Sequence, residues 1–398
     1  MKKGGVNKMT EKVNKKNVLL STWMGIGATW FGVHMGPGTA SGRQGATFYS
    51  SYGTWGFIMP FIAMAILGFV VYLVVEYMRR NNLNRYIDFF NHFFSPYEKF
   101  FSILFDILFF FTYFMITGAA LFTGGQILSD QSGFPYMVSV LLIAVISILL
   151  IIYGERVVRI ANSFMTWLML LIIVLLMIFA LQMPENQFVA NLQEPELAWN
   201  MKLLPGALMS AVVYASFQVT GCIGSVASVT EGLKSKNESK KAAVFGWLSN
   251  SVLLLMISIM HFGLQPYLGE QMPNYSILQA IGKPILYWAY VILVELAVIS
   301  SIIGMNNGVA KRIDKYVKID NVLVRNVVIN VAFLAVAAFV SRVGLTAIVN
   351  VGFTYLGYSC LPFVIIPILV IGYKKVLKNK SGEPDIAAKE HLAKRSTI

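Results

Sequence analysis

The stretch that decides the fold is His34-Met35-Gly36-Pro37-Gly38-Thr39-Ala40-Ser41-Gly42-Arg43, which lies inside the first apolar segment of the chain. Its three glycines and one proline interrupt a helix that would otherwise run through the segment. A bilayer offers no partner to a freed backbone N–H or C=O group, so such an interruption persists only where it faces protein or a polar cavity. The stretch is therefore a candidate binding site.

A second apolar segment carries a similar polar, glycine-containing interruption, Tyr214-Ala215-Ser216-Phe217-Gln218-Val219-Thr220-Gly221-Cys222-Ile223-Gly224. Paired broken helices at corresponding places in two halves of a chain are the best sequence indication of the site of a secondary transporter. We therefore expect both segments to be broken helices that meet at one site.

The composition is that of a polytopic all-α membrane protein, because 57% of the 398 residues are hydrophobic and only 13% are charged. Apolar stretches of about 20 residues predict membrane-spanning helices. Ten such helices are predicted, near residues 18–47, 53–78, 98–127, 134–153, 156–182, 203–232, 237–264, 284–310, 321–340 and 345–373.

The net charge of +13 does not indicate nucleic-acid binding, because the basic residues are distributed by side of the membrane. Of the 32 Lys and Arg residues, all but Arg43, Lys202, Lys283 and Arg342 fall on the side of the N-terminus. By the positive-inside rule, both termini are cytoplasmic and the protein lies in the inner (cytoplasmic) membrane. The ends are then a basic N-terminus, 1–17, and a basic tail, 374–398.

The order and lengths of the segments recur, which divides the chain into two five-helix repeats, 18–182 and 203–373. Five is an odd number, so the second repeat begins on the opposite side of the membrane from the first. The repeat is therefore inverted, with its pseudo-twofold axis in the membrane plane.

A five-plus-five inverted repeat with helices 1 and 6 broken resembles the LeuT-type fold of the amino acid–polyamine–cation superfamily. More narrowly, the run from Gly36 to Gln44 is similar to the Gly-x-Gly-x-Ala-Ser-Gly-Gln/Arg-Glu string of the YkvI-type bacterial membrane proteins. Tyr214-x-Ser216-Phe217-Gln218 resembles the sixth-helix pattern of that group. The usual acidic residue at the end of the first string is Gln44 here, so the resemblance implies no proton relay at that place.

The resemblance also implies a sodium site. Ala297-Val298-Ile299-Ser300-Ser301 is similar to the Ala-x-x-Thr/Ser-Ser pattern that supplies a carbonyl and two hydroxyls to sodium in LeuT-fold symporters. Its partners would be the carbonyls of Gly32 and Met35, just before Gly36. The alternative is that Ser300 and Ser301 only bond back to their own helix.

The expected solute-binding residues lie at the two interruptions, with one aromatic residue on the third span. They are His34, Gly36, Gly38, Thr39, Tyr113, Phe217, Gln218, Thr220 and Gly221. Tyr113 and Phe217 are candidates to flank the solute. His34 either senses pH or binds solute, or is a packing residue whose hydrogen bonds are satisfied.

Ionisable residues inside spans are functional candidates by default. By resemblance, Glu76 braces the helices around the break. Asp106 and Glu295 either couple protons or are carboxyl groups hydrogen-bonded to a neighbouring helix. Arg43 is either a gate residue that holds a carboxylate or an arginine anchored at the interface.

These features predict a secondary active transporter that moves a small organic solute by alternating access, with sodium as coupling ion and no other cofactor. An amino acid or related zwitterion is favoured, because broken-helix ends complement a carboxylate and an ammonium group. No H-E-x-x-H, phosphate loop or nucleophile–base pair is present, so an enzyme is not expected. The alternatives are a proton-coupled transporter and a solute-sensing membrane subunit of the spore germinant-receptor type. The oligomeric state is left open by the sequence.

Overall fold

The structure, a computed structural model, describes residues 21–153, 155–227, 229–379, 383–386, 388, 391 and 392. The predicted basic N-terminus, 1–17, lies outside the described residues, as does most of the tail after residue 379. The described part is helical throughout, with short connections. In chain order the helices are α1 (Thr22–His34), α2 (Pro37–Ala40), α3 (Arg43–Phe48), α4 (Met59–Asn81), α5 (Tyr86–Phe93), α6 (Glu98–Ser132), α7 (Tyr136–Tyr153), α8 (Glu155–Leu181), α9 (Phe188–Asn191), α10 (Leu204–Ala227), α11 (Lys236–Gly263), α12 (Pro273–Ile281), α13 (Pro284–Ile313), α14 (Val322–Ser341) and α15 (Leu345–Lys378).

Seven of these helices are long and apolar enough to cross a membrane: α4, α6, α10, α11, α13, α14 and α15. Two shorter apolar helical stretches, Tyr136–Ile152 and Leu168–Leu181, lie in α7 and α8. α1 has 13 residues and ends where the glycine-rich stretch begins. The chain is therefore a multi-pass membrane protein, and the count of ten spans remains a prediction.

The long helices pack as two groups of four. α1, α4, α10 and α11 pack mainly against one another, and α6, α7, α13 and α14 form the second group. Each group thus combines helices from both halves of the sequence. α8 packs against α11 of the first group and α13 of the second.

The predicted break in the sixth segment is wrong, because α10 is one continuous helix from Leu204 to Ala227. Gly221 and Gly224 lower helix stability without ending the helix. The polar side chains in the segment bond to the helix itself: Ser216 Oγ donates to the Val212 carbonyl at 2.7 Å, and Thr220 Oγ1 donates to the Phe217 carbonyl at 3.2 Å. Without a proline, no backbone carbonyl of this segment is forced to lose its N–H partner.

The described part of the tail packs on the end of α4. Asp385 accepts hydrogen bonds from Tyr77 Oη and Lys375 Nζ, each at 2.9 Å, and its backbone N–H donates to Asn81 Oδ1 at 2.8 Å. His391 Nε2 lies 3.4 Å from a Glu98 carboxyl oxygen at the start of α6. This segment therefore contacts both groups of helices.

Candidate functional site

The first apolar segment leaves helical geometry at Met35 and Gly36. α1 ends with a hydrogen bond from the Met35 N–H to the Phe31 carbonyl, and α2 starts at Pro37. Because Pro37 has no N–H group, the Val33 carbonyl has no partner four residues along the chain. Among the described residues, no backbone N–H donates to the carbonyls of Gly32, Val33 or Met35. The chain therefore presents free backbone oxygens at this point.

At the other end of the interruption, the backbone carbonyls of Ala40 and Ser41 accept hydrogen bonds from protein groups. Asn274 Nδ2 and Tyr290 Oη both donate to the Ala40 carbonyl at 2.9 Å, and the Asn274 N–H donates to the Ser41 carbonyl at 2.9 Å. Gly42 has a φ of +83°, and a Cβ there would lie 2.4 Å from Asn274 Oδ1. Glycine is required at this turn for both reasons.

Ser301 lies beside the free carbonyls. A Cβ built on Gly36 would be 3.9 Å from Ser301 Oγ and 3.7 Å from the Val33 carbonyl oxygen, with no other heavy atom within 4 Å. The absence of a side chain at Gly36 therefore leaves a gap between α13 and the end of α1, bordered by oxygen atoms.

The hydroxyls of Ser300 and Ser301 differ from those of several serines within the helices, although Ser139, Ser147 and Ser258 also lack a partner among the described residues. Ser249, Ser251 and Ser359 each donate to the carbonyl four residues earlier, at 2.8 to 2.9 Å. Within the described part of the chain, neither Ser300 nor Ser301 makes such a bond, so the alternative that they only bond back to their own helix does not hold in this structure.

A cluster of neutral polar side chains surrounds Gln44. Its Oε1 accepts from Thr39 Oγ1 at 2.9 Å and from Tyr214 Oη at 3.1 Å, and Gln218 Nε2 approaches it at 3.5 Å. Tyr214 Oη also lies 2.6 Å from His34 Nε2. The structure thus brings His34, Thr39 and Gln218 together through two residues that the site prediction did not include, Gln44 and Tyr214.

The other predicted solute residues lie on the same helices, with different contacts. Phe217 is stacked on Phe353 at a ring distance of 4.8 Å. Thr220 Oγ1 is hydrogen-bonded to Thr112 Oγ1 at 2.9 Å, which joins α10 to α6. Gly221 faces Val33, since a Cβ there would lie 3.8 Å from a Val33 methyl group. Gly38 packs against the Gln44 amide.

Tyr113 does not share a ring contact with Phe217. Its hydroxyl donates to Asn306 Oδ1 at 2.7 Å, and its ring packs on Phe114 and Phe333. The role of these two aromatic residues in flanking a solute stays a prediction.

The charged candidates take separate positions. Glu76 is fully buried and accepts from Arg79, Arg80 and Ser239 at 2.7 to 2.9 Å, which ties α4 to α11. Asp106 is paired with Arg312 at 3.0 Å. Neither carboxyl group contacts the glycine-rich stretch.

Glu295 and Arg43 are the two remaining charged candidates. The Glu295 carboxyl oxygens are buried with no hydrogen-bond partner in the described part of the chain, and a Cβ on Gly124 would lie 3.0 Å from Oε2. Arg43 is 6% exposed, and its NH1 donates to the carbonyls of Leu268 and Glu270 at 2.8 and 2.9 Å. Arg43 therefore holds the connection between α11 and α12.

The site is accessible from one side. One face of α1 is at least partly exposed along its length, and Val33 is 37% exposed. α13 packs against α2 and makes no extensive contact with α1 in the described structure. Gly304, one turn beyond Ser300, is exposed with no atom within 4 Å of a built Cβ. On the side of the N-terminus, α1 and α13 are thus partly exposed and in little contact with each other, while the contacts of Asn274 and Arg43 hold the other side.

The predicted site residues omitted four contributors: the Val33 carbonyl, Asn274, Gln44 and Tyr214. The Val33 carbonyl had a sequence signal, because Pro37 lies four residues later. Gln44 and Tyr214 lie in the two quoted motifs, but their contact with each other, like that of Asn274 with Ala40, joins residues more than 150 positions apart and had no sequence signal.

The fold and this arrangement define a membrane transporter. The family model for the sodium:solute symporter family matches residues 20–272, so the chain belongs to that family and is a transporter rather than an enzyme. The resemblance to YkvI-type proteins is confirmed by the uncharacterized membrane protein YkvI of Bacillus subtilis (strain 168). It is 18% identical over 335 residues, which cover 84% of this chain and 92% of that protein.

Solved transporters share the fold. Mhp1 in its inward-facing conformation is 15% identical, with a TM-score of 0.61 over 87% of this chain and 75% of that chain. A Na+-coupled sialic acid symporter is 14% identical, with a TM-score of 0.57 over 89% and 90% of the two chains. The Eremococcus coleocola manganese transporter is 14% identical, with a TM-score of 0.56 over 94% and 87%. These are LeuT-fold transporters, and at these identities the likeness establishes the fold alone.

Proposed function

We propose that the protein is a sodium-coupled secondary transporter that carries a small organic solute across the inner membrane by alternating access. An amino acid or a related zwitterion is the favoured solute class. In this proposal the chain has ten spans in two inverted repeats, 18–182 and 203–373, and both termini are cytoplasmic. Membership of the sodium:solute symporter family supports transport as the activity.

The observation that carries sodium coupling is the gap at Gly36. It is bordered by the Val33 carbonyl and the Ser301 hydroxyl, and the carbonyls of Gly32 and Met35 are free of backbone donors. Ser300 adds a hydroxyl free of hydrogen bonds to the described residues, and Ala297 lies one turn before Ser301 on α13. Carbonyls released by an interrupted helix are the groups that bind coupling ions in transporters of this architecture.

The same interruption supports a solute site next to the ion. The neutral cluster of His34, Thr39, Gln44, Tyr214 and Gln218 lies on the α10 side of the break. Ligand sites in membrane helices combine an apolar wall with a few polar groups that fix orientation. Phe217, stacked on Phe353, supplies the apolar wall.

The two groups of helices give a basis for alternating access. On the N-terminal side, α1 and α13 make few contacts with each other, and on the other side the segment from Gln265 to Ile281 is held through Asn274 and Arg43. Rocking of one group against the other would exchange the open side while the ion and solute stay between them. In this proposal the N-terminus is cytoplasmic, and the side with few contacts between α1 and α13 is the side that opens inward.

The experiment that tests sodium coupling is uptake into proteoliposomes of an equimolar mixture of the proteinogenic amino acids, measured by mass spectrometry. An inward sodium gradient is compared with an equal potassium gradient. We expect uptake by the wild type to require sodium and to fall at least about tenfold in the double variant Ser300→Ala/Ser301→Ala, which loses both hydroxyl ligands.

The matched control is Ser249→Ala, because Ser249 already bonds to its own helix. It should transport as the wild type does. Uptake that is independent of the sodium gradient and unchanged in the double variant would exclude sodium coupling. Uptake driven by an acidic exterior alone would establish proton coupling in its place.

A further inference from the structure

The protein makes hydrogen bonds to the oxygen of the Gln44 amide but not to its nitrogen. Its Oε1 accepts from Thr39 Oγ1, Tyr214 Oη and, at the longest distance, Gln218 Nε2. Its Nε2 donates to no described residue, although the side chain is only 6% exposed. Nε2 itself keeps some accessible surface, so a ligand can reach this end of the amide and accept hydrogen bonds from its N–H groups.

Gly38 keeps the free end of the amide open. A Cβ built on Gly38 would lie 2.6 Å from Gln44 Nε2 and 3.1 Å from Cδ, so any side chain at this position would cover the donor. Gly38 lies in α2, directly after the interruption of α1. The uncovered donor therefore lies beside Gly38, three residues after Met35 in the interrupted segment.

No cation of the described chain competes with this donor at the break. The neighbouring guanidinium of Arg43 is engaged by Thr47 Oγ1 and by the carbonyls of Leu268 and Glu270 on the closed side. The groups that contact Gln44 are all neutral. The amide N–H is thus an uncharged side-chain donor on the α10 side of the break.

We propose that Gln44 determines solute specificity by donating from Nε2 to a carbonyl or carboxylate oxygen of the solute. The inference rests on the proposed transport function and names the chemical group that its solute presents at this place.

The variant Gln44→Glu separates a structural role of this side chain from a role as hydrogen-bond donor to the solute. Its carboxylate would accept from Thr39, Tyr214 and Gln218 as the amide does, but it would have no hydrogen to give to the solute. If Gln44 only stabilises the structure, Gln44→Glu should behave as the wild type, and Gln44→Met, which cannot accept these hydrogen bonds, should not. A role as donor to the solute is lost in both.

The test uses proteoliposomes under a sodium gradient and three sets of compounds: the proteinogenic amino acids, their carboxamides, and the amines that lack the carboxyl carbon. The wild type should take up members of the first two sets and discriminate at least about tenfold against the matched amines. The carboxylate and carboxamide sets show which kind of oxygen Gln44 binds. Gln44→Glu should lose at least about tenfold in kcat/KM for the oxygen-bearing compounds, with the apparent Tm of the purified protein unchanged.

The control for introducing a carboxylate is Gln193→Glu, because Gln193 is exposed in the connection between α9 and α10. Undiminished uptake of oxygen-bearing compounds by Gln44→Glu, or equal uptake of the matched amines by the wild type, would overturn the proposal. If the wild type takes up no member of any set, the transport function itself fails, and this inference fails with it.

Discussion

Asn274 of α12 is hydrogen-bonded to the end of the interrupted first segment: its Nδ2 donates to the Ala40 carbonyl and its backbone N–H donates to the Ser41 carbonyl, both at 2.9 Å. Asn274 Oδ1 lies 2.9 Å from His261 Nε2, and His261 Nδ1 lies 3.2 Å from Ser50 Oγ. One amide thus joins α12, α11 and the chain after the break. It closes the side of the site that faces away from the N-terminus.

Removal of this amide should weaken the closed side. Asn274→Ala leaves one donor, Tyr290 Oη, on the Ala40 carbonyl and leaves the His261 Nε2–H group without its acceptor, Asn274 Oδ1, at a cost of about 1–3 kcal/mol. We expect faster maleimide labelling of a cysteine introduced at Ala40 from the side opposite the N-terminus. Asn200→Ala is the control, because Asn200 Nδ2 bonds only to the Glu196 carbonyl in an exposed connection. Equal labelling in the two variants would show that Asn274 does not hold the site closed.

Gly42 should tolerate no side chain. Gly42→Ala forces a residue with a Cβ into a φ of +83°, and the new methyl group would lie 3.0 Å from the Asn274 backbone N in addition to its side chain. Gly133→Ala is the matched control, since Gly133 has a φ of +72° and nothing within 4 Å of its built Cβ. Gly133→Ala should lower the free energy of unfolding by only about 1 kcal/mol, the cost of placing a Cβ on a residue with positive φ. Thermal unfolding in detergent should show a clearly larger loss for Gly42→Ala, and equal losses would contradict the packing at Asn274.

Glu76 should contribute strongly to stability. Glu76→Gln leaves Arg80, whose side chain is 3% exposed, without its anionic partner, and breaking a buried pair costs about 3–5 kcal/mol. Asp88→Asn removes one partner of the exposed pair with Arg85 and should cost at most about 1 kcal/mol. The apparent Tm of the two variants compares these effects. A small shift for Glu76→Gln would show that Glu76 is not a brace between α4 and α11.

Docking of the tail should be lost in acid. Burial alone would raise the pKa of Asp385, but the hydrogen bond and charge of Lys375 outweigh it and hold the pKa below its usual value. The stabilisation is therefore present above the unfolded pKa of about 3.9 and is lost as the pH falls through the lower folded value.

Hydrogen exchange of the tail amides should stay slow at neutral pH and rise only below about pH 4. Asp385→Asn should show fast exchange at neutral pH, whereas Asp320→Asn, an exposed residue outside this cluster, should behave as the wild type. Slow exchange in Asp385→Asn would show that the carboxylate does not hold the tail.

The sequence predicted those features that depend on neighbouring residues. Pro37 and the glycines around it mark the place where α1 ends, because the missing N–H and the open backbone act within one helical turn. The long apolar helices followed in the same way from local hydropathy.

The sequence prediction failed in two situations. In one, hydrogen bonds within a helix outweighed the effect of its glycines; in the other, the contacting residues are far apart in the chain. Gly221 and Gly224 suggested a second break, but α10 absorbs two glycines because Ser216 and Thr220 bond to their own helix. The Asn274–Ala40 and Gln44–Tyr214 contacts join residues far apart in the chain, and no single-sequence pattern encodes such pairs. The Ser301–Gly36 proximity agrees with the expected sodium constellation, which remains a proposal.

The most direct test of the account is equilibrium binding of radioactive sodium to the purified protein without solute, competed by non-radioactive sodium or potassium. The account predicts saturable binding that sodium displaces and potassium does not. Binding should be lost in Ser301→Ala and kept in Ser249→Ala at equal apparent Tm. Absence of saturable binding in the wild type, or full binding in Ser301→Ala, would contradict a sodium site between α13 and the interrupted first segment.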